Sequence, residues 1–182
     1  LPGVSLRVRG DDGQDLPVGE IGGIQVKGPN VFKGYWRMPE KTAEEFTTDG
    51  FFKTGDVGKV DERGYVTIVG RSKDLIISGG YNVYPAEIES VINDMPGVAE
   101  SAVIGVAHPK WQERPLLLVV RRAGVQLEAK DVMDYLSTRI AKWWLPDDIV
   151  FVDTLPHTAT GKLLKTKLRE RFKDFKLSTD KA

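Results

Sequence analysis

Three short segments of the chain hold residues that could act on a phosphate or a carboxylate. The first is Thr54-Gly55-Asp56, which sets an aspartate at a glycine-supported turn. A carboxylate in that position can accept hydrogen bonds from two neighbouring hydroxyls, which is how carboxylates hold a ribose. An aspartate at a turn also commonly caps the turn itself, so this segment alone leaves both interpretations open.

The second segment runs from Gly70 to Glu89 and crosses a change in residue pattern. Charged side chains cluster at its start, around Arg71 and Lys73, and this predicts a solvent-exposed hinge. Gly79 and Gly80 follow, and two residues without Cβ atoms let a ligand approach the backbone closely. A tight turn before a helix at Pro85 is the competing interpretation.

The third segment, Pro156 to Lys162, ends on a glycine and a lysine. A phosphate-binding Walker loop is excluded, because that motif needs a glycine where Pro156 stands and a Ser or Thr after the lysine. Lys162 could still offer a point charge to a phosphate or carboxylate. The alternative is a solvated lysine that begins a basic helix.

The elements around these segments fall into two patterns. Up to about Gly70, short β-type runs and turns predict a small antiparallel sheet or partial barrel, interrupted by a helix at Pro39–Phe46. From Arg71 onward, strands alternate with helical periodicity, which predicts an α+β unit. The predicted strands are Val4–Arg9, Ile24–Lys27, Val57–Val60, Tyr65–Val69, Leu75–Ile77, Ala99–Val106, Leu116–Val120 and Ile149–Val152. The predicted helices follow Pro85, span Val132–Ile140 and start near Gly161, and the tail Lys176–Ala182 is expected to fray.

Composition narrows the classes of function. The chain has 182 residues, 26 Lys+Arg against 26 Asp+Glu, two histidines and no cysteine. A net charge of zero gives no overall field toward nucleic acid, and the missing cysteines exclude disulfides and thiolate zinc sites. Two histidines are too few for a multi-histidine metal site, so we expect no metal site in this chain. The apolar runs are short for a membrane span, and we expect a cytoplasmic globular protein.

Taken in order and spacing, the three segments resemble motifs of the adenylate-forming superfamily, which includes acyl-CoA synthetases, adenylation domains of peptide synthetases and luciferases. Thr54-Gly55-Asp56 is similar to its ribose-binding motif and Gly70–Glu89 to its hinge motif. Pro156–Lys162 is similar to the carboxy-terminal motif with the adenylation lysine. The stretch from Gly19 to Trp36 resembles a strand motif upstream of these.

The resemblance implies that residues 1–70 end the large amino-terminal domain as a β-subdomain and that residues 71–182 form the mobile carboxy-terminal domain. The substrates implied are a carboxylic acid, ATP with Mg²⁺, and CoA. Lys162 would be catalytic, and Asp56 and Arg71 would bind the nucleotide. Lys73 would be the hinge, and Gly79 and Gly80 would border the CoA tunnel. The phosphate loop and acid pocket of the family lie upstream, so we expect this chain alone to be inactive.

Subfamily signals point two ways, and other functions stay open. Gly34–Thr42 and Gly79–Pro85 resemble malonyl- or methylmalonyl-CoA synthetases, whereas His108–Trp111 and Lys142–Pro146 resemble medium- and long-chain fatty acyl-CoA synthetases. An adenylation domain of a peptide synthetase is one alternative. Another is a non-catalytic lid fragment recognised by a lysine acetyltransferase at Lys162. The Leu-Pro-Gly start suggests a piece of a longer protein.

Overall fold

A computed structural model describes residues 2–181 as two compact units, one up to Lys73 and one from Asp74 onward. A 3-10 turn, Ser72–Asp74, lies where the chain passes from the first to the second. None of the helices in the described part of the chain has the length and hydropathy of a membrane span.

The first unit is an open antiparallel sheet of four strands in the order β1-β2-β3-β4. Buried Val8, Ile24, Val57 and Val69 form its small apolar face. The α+β class and the antiparallel arrangement predicted from the sequence are confirmed, and the sheet does not close into a barrel. Its elements are β1 (Ser5–Arg9), β2 (Gly22–Lys27), α1 (Pro39–Glu45), β3 (Phe52–Val60) and β4 (Val66–Arg71).

Strand β3 is longer than the sequence predicts, and this changes the setting of Thr54-Gly55-Asp56. The predicted strand started at Val57, but β3 begins at Phe52, so the segment lies inside a strand and the predicted turn is wrong. The register of β3 against β4 shifts between Val57 and Gly58. A Cβ on Gly58 would lie 2.3 Å from the Thr67 carbonyl oxygen, so only glycine fits there.

The second unit packs helices on both faces of a mixed sheet with β8 at its centre. Strand β7 pairs with β8 antiparallel along its whole length, while β5 and the parallel β9 share the other edge of β8. Its elements are β5 (Ile76–Ser78), β6 (Tyr81–Val83), α2 (Pro85–Asn93), β7 (Val98–His108), β8 (Gln112–Arg121), α3 (Ala129–Ser137), β9 (Asp148–Phe151) and α4 (Lys165–Arg171), with 3-10 turns at Lys142–Trp144 and Ser178–Lys181.

Alternation along β7 and β8 divides the core of this unit in two. Leu117 and Val119 face α2 and α3, whereas Leu116 and Leu118 face α4. All four are fully buried, which explains an unbroken apolar run in a central strand. The predicted helical stripes lie where expected, with Ile88 and Ile92 in α2, Val132 and Leu136 in α3, and Leu168 in α4 buried against the sheet.

Two boundaries differ from the sequence prediction. Helix α4 begins at Lys165, four residues after the predicted start near Gly161, because a closed loop takes up the intervening residues. The tail expected to fray instead forms a 3-10 turn at Ser178–Lys181, and Leu177 just before it is 2% exposed. Ala182 lies outside the described residues. A single buried leucine among polar residues carries no periodic signal, so the pattern did not reveal it.

Two ion pairs hold α4 against the rest of the second unit. Lys165 Nζ lies 2.6 Å from Glu89 Oε1 in α2, and Arg169 Nη2 lies 2.7 Å from Asp74 Oδ1. Glu89 Oε1 also accepts a 2.6 Å hydrogen bond from the Val103 amide. Burial raises the pKa of the Glu89 carboxyl, and the nearby Lys165 opposes that rise.

The raised pKa of Glu89 predicts a pH dependence of stability. Between the ordinary carboxyl pKa of 4.5 and the higher folded-state pKa, the folded protein binds more protons than the unfolded chain. The contribution of Glu89 to the free energy of unfolding is therefore fully present below pH 4.5 and falls as pH rises through that window. Urea denaturation of the wild type and of Glu89→Gln at several pH values should show the wild-type advantage shrinking as pH rises. A constant or growing advantage would contradict this assignment.

Candidate functional site

Asp56 and Arg71, which the sequence singles out separately, lie side by side on adjacent strands. They face each other in the register of β3 and β4, and Arg71 Nη1 lies 3.0 Å from Asp56 Oδ1. The same nitrogen donates a 2.9 Å hydrogen bond to the Thr54 carbonyl, across the left-handed backbone of Gly55 at φ 74°. The Asp56 side chain is 27% exposed, so its carboxylate is oriented by Arg71 and still open to a hydroxyl donor.

Gly79 and Gly80 form the two-residue turn of a hairpin between β5 and β6. The sequence predicted a strand at Leu75–Ile77, which overlaps β5, but it did not predict β6. Both glycines have positive φ, 57° and 84°, as a type I′ turn requires. The Gly79 amide donates a 2.8 Å hydrogen bond to the Trp111 carbonyl. A Cβ on Gly79 would lie 2.7 Å from the Trp111 ring, whereas a Cβ on Gly80 would meet nothing within 4 Å. The two glycines therefore differ in their surroundings. Gly79 makes room for the indole of Trp111, and Gly80 leaves the surface open.

A groove of about 490 Å³ opens beside this turn. Indole and phenol rings on its walls supply stacking surfaces, and Lys110 and Arg114 supply positive charge. This combination suits an adenine nucleotide with phosphates. Its lining residues are Ser78, Tyr81, His108, Lys110, Trp111, Arg114, Trp143, Asp147 and Thr179.

Arg114 is the best-fixed side chain of the groove. Asp147 accepts hydrogen bonds from its guanidinium, with 2.6 Å between Arg114 Nε and Asp147 Oδ1. Arg114 Nη1 donates to Ser78 Oγ at 3.0 Å, and the carbonyls of Trp143 and Leu145 accept one bond each. Sequence reasoning missed this groove because its residues come from four separate segments, and those near Trp111 and Trp143 served only as subfamily signals.

Lys162 lies on a closed loop before α4. The Thr158 amide donates to the Lys162 carbonyl at 2.8 Å, and the Lys162 amide donates to Thr158 Oγ1 at 3.0 Å. Gly161 completes the turn with φ 80°. The Lys162 side chain is exposed, and among the described residues no carboxylate forms an ion pair with it, in contrast to Lys165 three positions on.

The Lys162 loop and the glycine turn lie at opposite ends of the β7–β8 hairpin. His157, beside the loop, bonds Glu100 near the start of β7, with 2.6 Å between His157 Nε2 and Glu100 Oε1. Gly79 bonds Trp111, in the turn after His108 at the end of β7. Eight residues of strand separate Glu100 from His108, roughly 26 Å at about 3.3 Å each. The structure thus unites Asp56 with Arg71 and Gly79 with Gly80, but holds Lys162 away from the glycines.

No group of three or more His, Asp or Glu side chains that could hold a metal ion occurs among residues 2–181. Lys73, the predicted hinge, is exposed at the last position of the first unit.

Comparison with known proteins identifies the class. Residues 87–162 match the family described as the AMP-binding enzyme C-terminal domain. This segment holds most of α2 and the Lys162 loop. This match confirms the resemblance to adenylate-forming enzymes.

The individual relatives are acyl-CoA ligases. The chain is 47% identical over 167 residues to the feruloyl-CoA synthase of Amycolatopsis sp, covering 92% of this chain and 34% of that protein. It is 46% identical to the long-chain-fatty-acid–CoA ligase FadD13 of Mycobacterium tuberculosis, covering 92% and 33%. ATP-bound MatB from Rhodopseudomonas palustris has 57% identity and a TM-score of 0.90, with 96% and 35% covered. The chain thus spans about a third of the length of these proteins, the carboxy-terminal part.

The contact between Gly79 and Trp111 predicts an asymmetric response to alanine. Gly79→Ala and Gly80→Ala both carry the strain of a side chain at positive φ, about 1 kcal/mol each. Only Gly79→Ala adds a clash with a ring, so it should lower the free energy of unfolding more, as measured by urea denaturation.

The double variant Gly79→Ala/Trp111→Ala tests the cause. Removing the indole should make the Gly79 substitution about as mild as that at Gly80. Equal effects of the two single variants would show that the ring does not set the requirement for glycine.

Proposed function

We propose that this chain is the carboxy-terminal part of an AMP-forming acyl-CoA ligase. The reaction has two halves. A carboxylate first attacks the α-phosphate of Mg-ATP, giving acyl-AMP and pyrophosphate. The thiol of CoA then attacks the acyl carbonyl, giving acyl-CoA and AMP. Similarity to acyl-CoA ligases over nine-tenths of the chain supports the assignment.

The observation that carries the proposal is the separation of two functional loops on one small unit. The Lys162 loop lies beside Glu100 and the Gly79–Gly80 turn lies beside Trp111, and the strand between Glu100 and His108 is roughly 26 Å long. With this spacing, the two loops would have to act at one reaction centre in turn. A unit that presents first one end and then the other would serve the two halves in turn. Lys73, exposed at the boundary of the units, is the pivot that we propose for this rotation.

In the first half, Lys162 neutralises charge on the attacking carboxylate and the α-phosphate. Its exposed ammonium has no competing ion pair among the described residues, so its charge is available to a substrate. Asp56 accepts hydrogen bonds from the ribose hydroxyls, and Arg71 holds that carboxylate in place. The chain's few charged ligands act locally, which agrees with a net charge of zero.

In the second half, the groove beside Gly79 and Gly80 receives CoA. Trp111 and Trp143 offer faces for the adenine, and Lys110 and Arg114 offer charge to its phosphates. Gly80 leaves space where the pantetheine chain would pass. The acid itself is a fatty acid or a malonate- or methylmalonate-type acid. Similar identity to a feruloyl-CoA synthase and to a long-chain ligase supports a choice of acid made outside this third of the enzyme.

The open position of Lys162 also makes it accessible to a lysine acetyltransferase, which would remove the charge that adenylation uses. The dependence of the reaction on ATP and CoA favours a cytoplasmic enzyme.

Substitutions in the two loops should separate the two half-reactions of the full-length ligase. Lys162→Ala should abolish acid-dependent pyrophosphate exchange, because the charge at the α-phosphate is lost. Gly80→Leu should leave exchange within about twofold and reduce thioester formation at least a hundredfold, since a leucine fills the CoA path. Exchange is followed with labelled pyrophosphate and thioester formation by chromatography of acyl-CoA.

Two matched controls accompany these variants. Lys167→Ala removes another exposed lysine close by, and Gly64→Leu places a leucine at another exposed turn glycine, with φ 81° against 84° for Gly80. Both controls should retain both half-reactions. Equal loss of both half-reactions in Lys162→Ala and Gly80→Leu would refute the assignment of two separate faces.

A further inference from the structure

Residues Leu177–Asp180, near the end of the described chain, are anchored beside the groove, and we call them the C-terminal strut. Leu177 is buried in the core under α4. The Ser178 amide donates a 2.6 Å hydrogen bond to Asp148 Oδ2. Thr179 Oγ1 bonds the Asp147 carboxylate. These contacts fix both the path and the orientation of the strut.

One line of polar contacts leads from the strut to the residue before the glycine turn. Thr179 bonds Asp147, whose side chain is only 7% exposed. Asp147 in turn accepts from Arg114, and Arg114 donates to Ser78 Oγ at 3.0 Å. Ser78 is buried and immediately precedes Gly79. The strut therefore reaches one wall of the groove through two side chains.

A second line leads to the opposite wall through His108. His108 Nδ1 accepts hydrogen bonds from the amides of Lys110 at 3.1 Å and Trp111 at 3.2 Å. Because Nδ1 is an acceptor, the proton of the neutral ring is on Nε2. That nitrogen is buried 4.0 Å from Asp180 Oδ1, also buried, and neither atom has another partner among the described residues. A buried donor facing a buried acceptor pairs with it, directly after a small shift or through one water.

His108 bonds the turn that carries Trp111, whose indole lies against Gly79. The turn after β7 returns into β8 with Gln112 at φ 70°, a conformation that is unfavourable for a side chain, so hydrogen bonds within the turn help to hold it. The two bonds to His108 Nδ1 are among these, and Trp111 packs against Gly79.

We propose that the C-terminal strut positions the walls of the CoA groove, with Asp180 acting on Trp111 through His108 and Thr179 acting on Ser78 through Asp147 and Arg114. This rests on the proposed function only for the identity of the ligand, CoA. Asp180 and His108 are positioning residues. They act on the second half-reaction and leave adenylation to the loop at the other end of β7.

The first test measures the structural link without activity. Hydrogen exchange followed by mass spectrometry compares the full-length protein with Asp180→Ala and Asp180→Asn. Asp180→Ala should speed exchange of the Lys110, Trp111 and Gly79 amides about tenfold, because a buried partner is lost. The amides of Thr158 and Lys162 should not change. Asp180→Asn keeps an acceptor oxygen and should behave as the wild type.

The second test measures function in the same variants. Asp180→Ala should raise the KM for CoA about five- to tenfold and leave pyrophosphate exchange unchanged, and Asp180→Asn should restore the wild-type KM. Asp174→Ala, which removes an exposed aspartate from the same tail, is the matched control and should change neither. His108→Phe, which keeps a ring but removes both nitrogens, should reproduce Asp180→Ala.

The outcomes separate the strut from the proposed function. Unchanged hydrogen exchange of the Lys110 and Trp111 amides in both Asp180→Ala and His108→Phe would overturn the positioning role of the strut, whatever the enzyme does. Faster hydrogen exchange with an unchanged KM for CoA would support the strut but contradict CoA as the ligand of the groove. Equal loss of pyrophosphate exchange and thioester formation would overturn the positioning role in favour of general destabilisation.

Discussion

The pairing of β7 with β8 is the constraint on which the second unit depends. Strand β8 is buried on both faces and bonded on both edges, so neither strand can slide without breaking the ladder and exposing the core. The hairpin therefore fixes the distance between the loops at its two ends. A loop with an exposed lysine lies at one end and a glycine turn with an aromatic groove at the other. If both loops act in turn at one reaction centre, as proposed, the unit as a whole must move.

Charge in this chain is organised in local pairs. Asp56 lies against Arg71, Glu89 against Lys165, and Asp147 against Arg114. Each ion pair joins two separate segments of the chain, and the opposite charges neutralise each other locally. Lys162 differs from Lys165 in this respect although only three residues separate them. Lys165 fixes α4 through its ion pair, whereas Lys162 is exposed and has no ion pair among the described residues, as its proposed role requires.

Much of the fold could be predicted because the apolar residues of the core follow regular patterns in the sequence. The runs in β7, β8 and β9 and the stripes of α2 and α3 repeat with the period of their element, so burial follows from spacing. Irregular contacts carry no such period. Strand β6 is three residues long and only Val83 in it is buried. The start of α4 depends on hydrogen bonds of Thr158, and Leu177 stands between polar Lys176 and Ser178.

The residues of the candidate site also fall into those that the sequence could predict and those that it could not. Asp56, Arg71, Gly79, Gly80 and Lys162 could be singled out because each belongs to a short motif of local sequence. The groove could not, because Trp111, Arg114 and Trp143 become neighbours only when β5, β8 and the turn at Lys142–Trp144 are assembled.

The glycine pair illustrates how structure changes the meaning of a motif. In sequence, Gly79 and Gly80 are equivalent, and both suit a tight turn. In the structure, the surroundings of Gly79 come from the indole of Trp111, whose turn depends on His108. The surroundings of Gly80 are solvent, and its openness matters only if a ligand passes there. Both positions favour glycine because of their positive φ, and the indole adds a second requirement at Gly79 alone. A residue far along the chain, Asp180, can bear on Gly79 without touching Gly80.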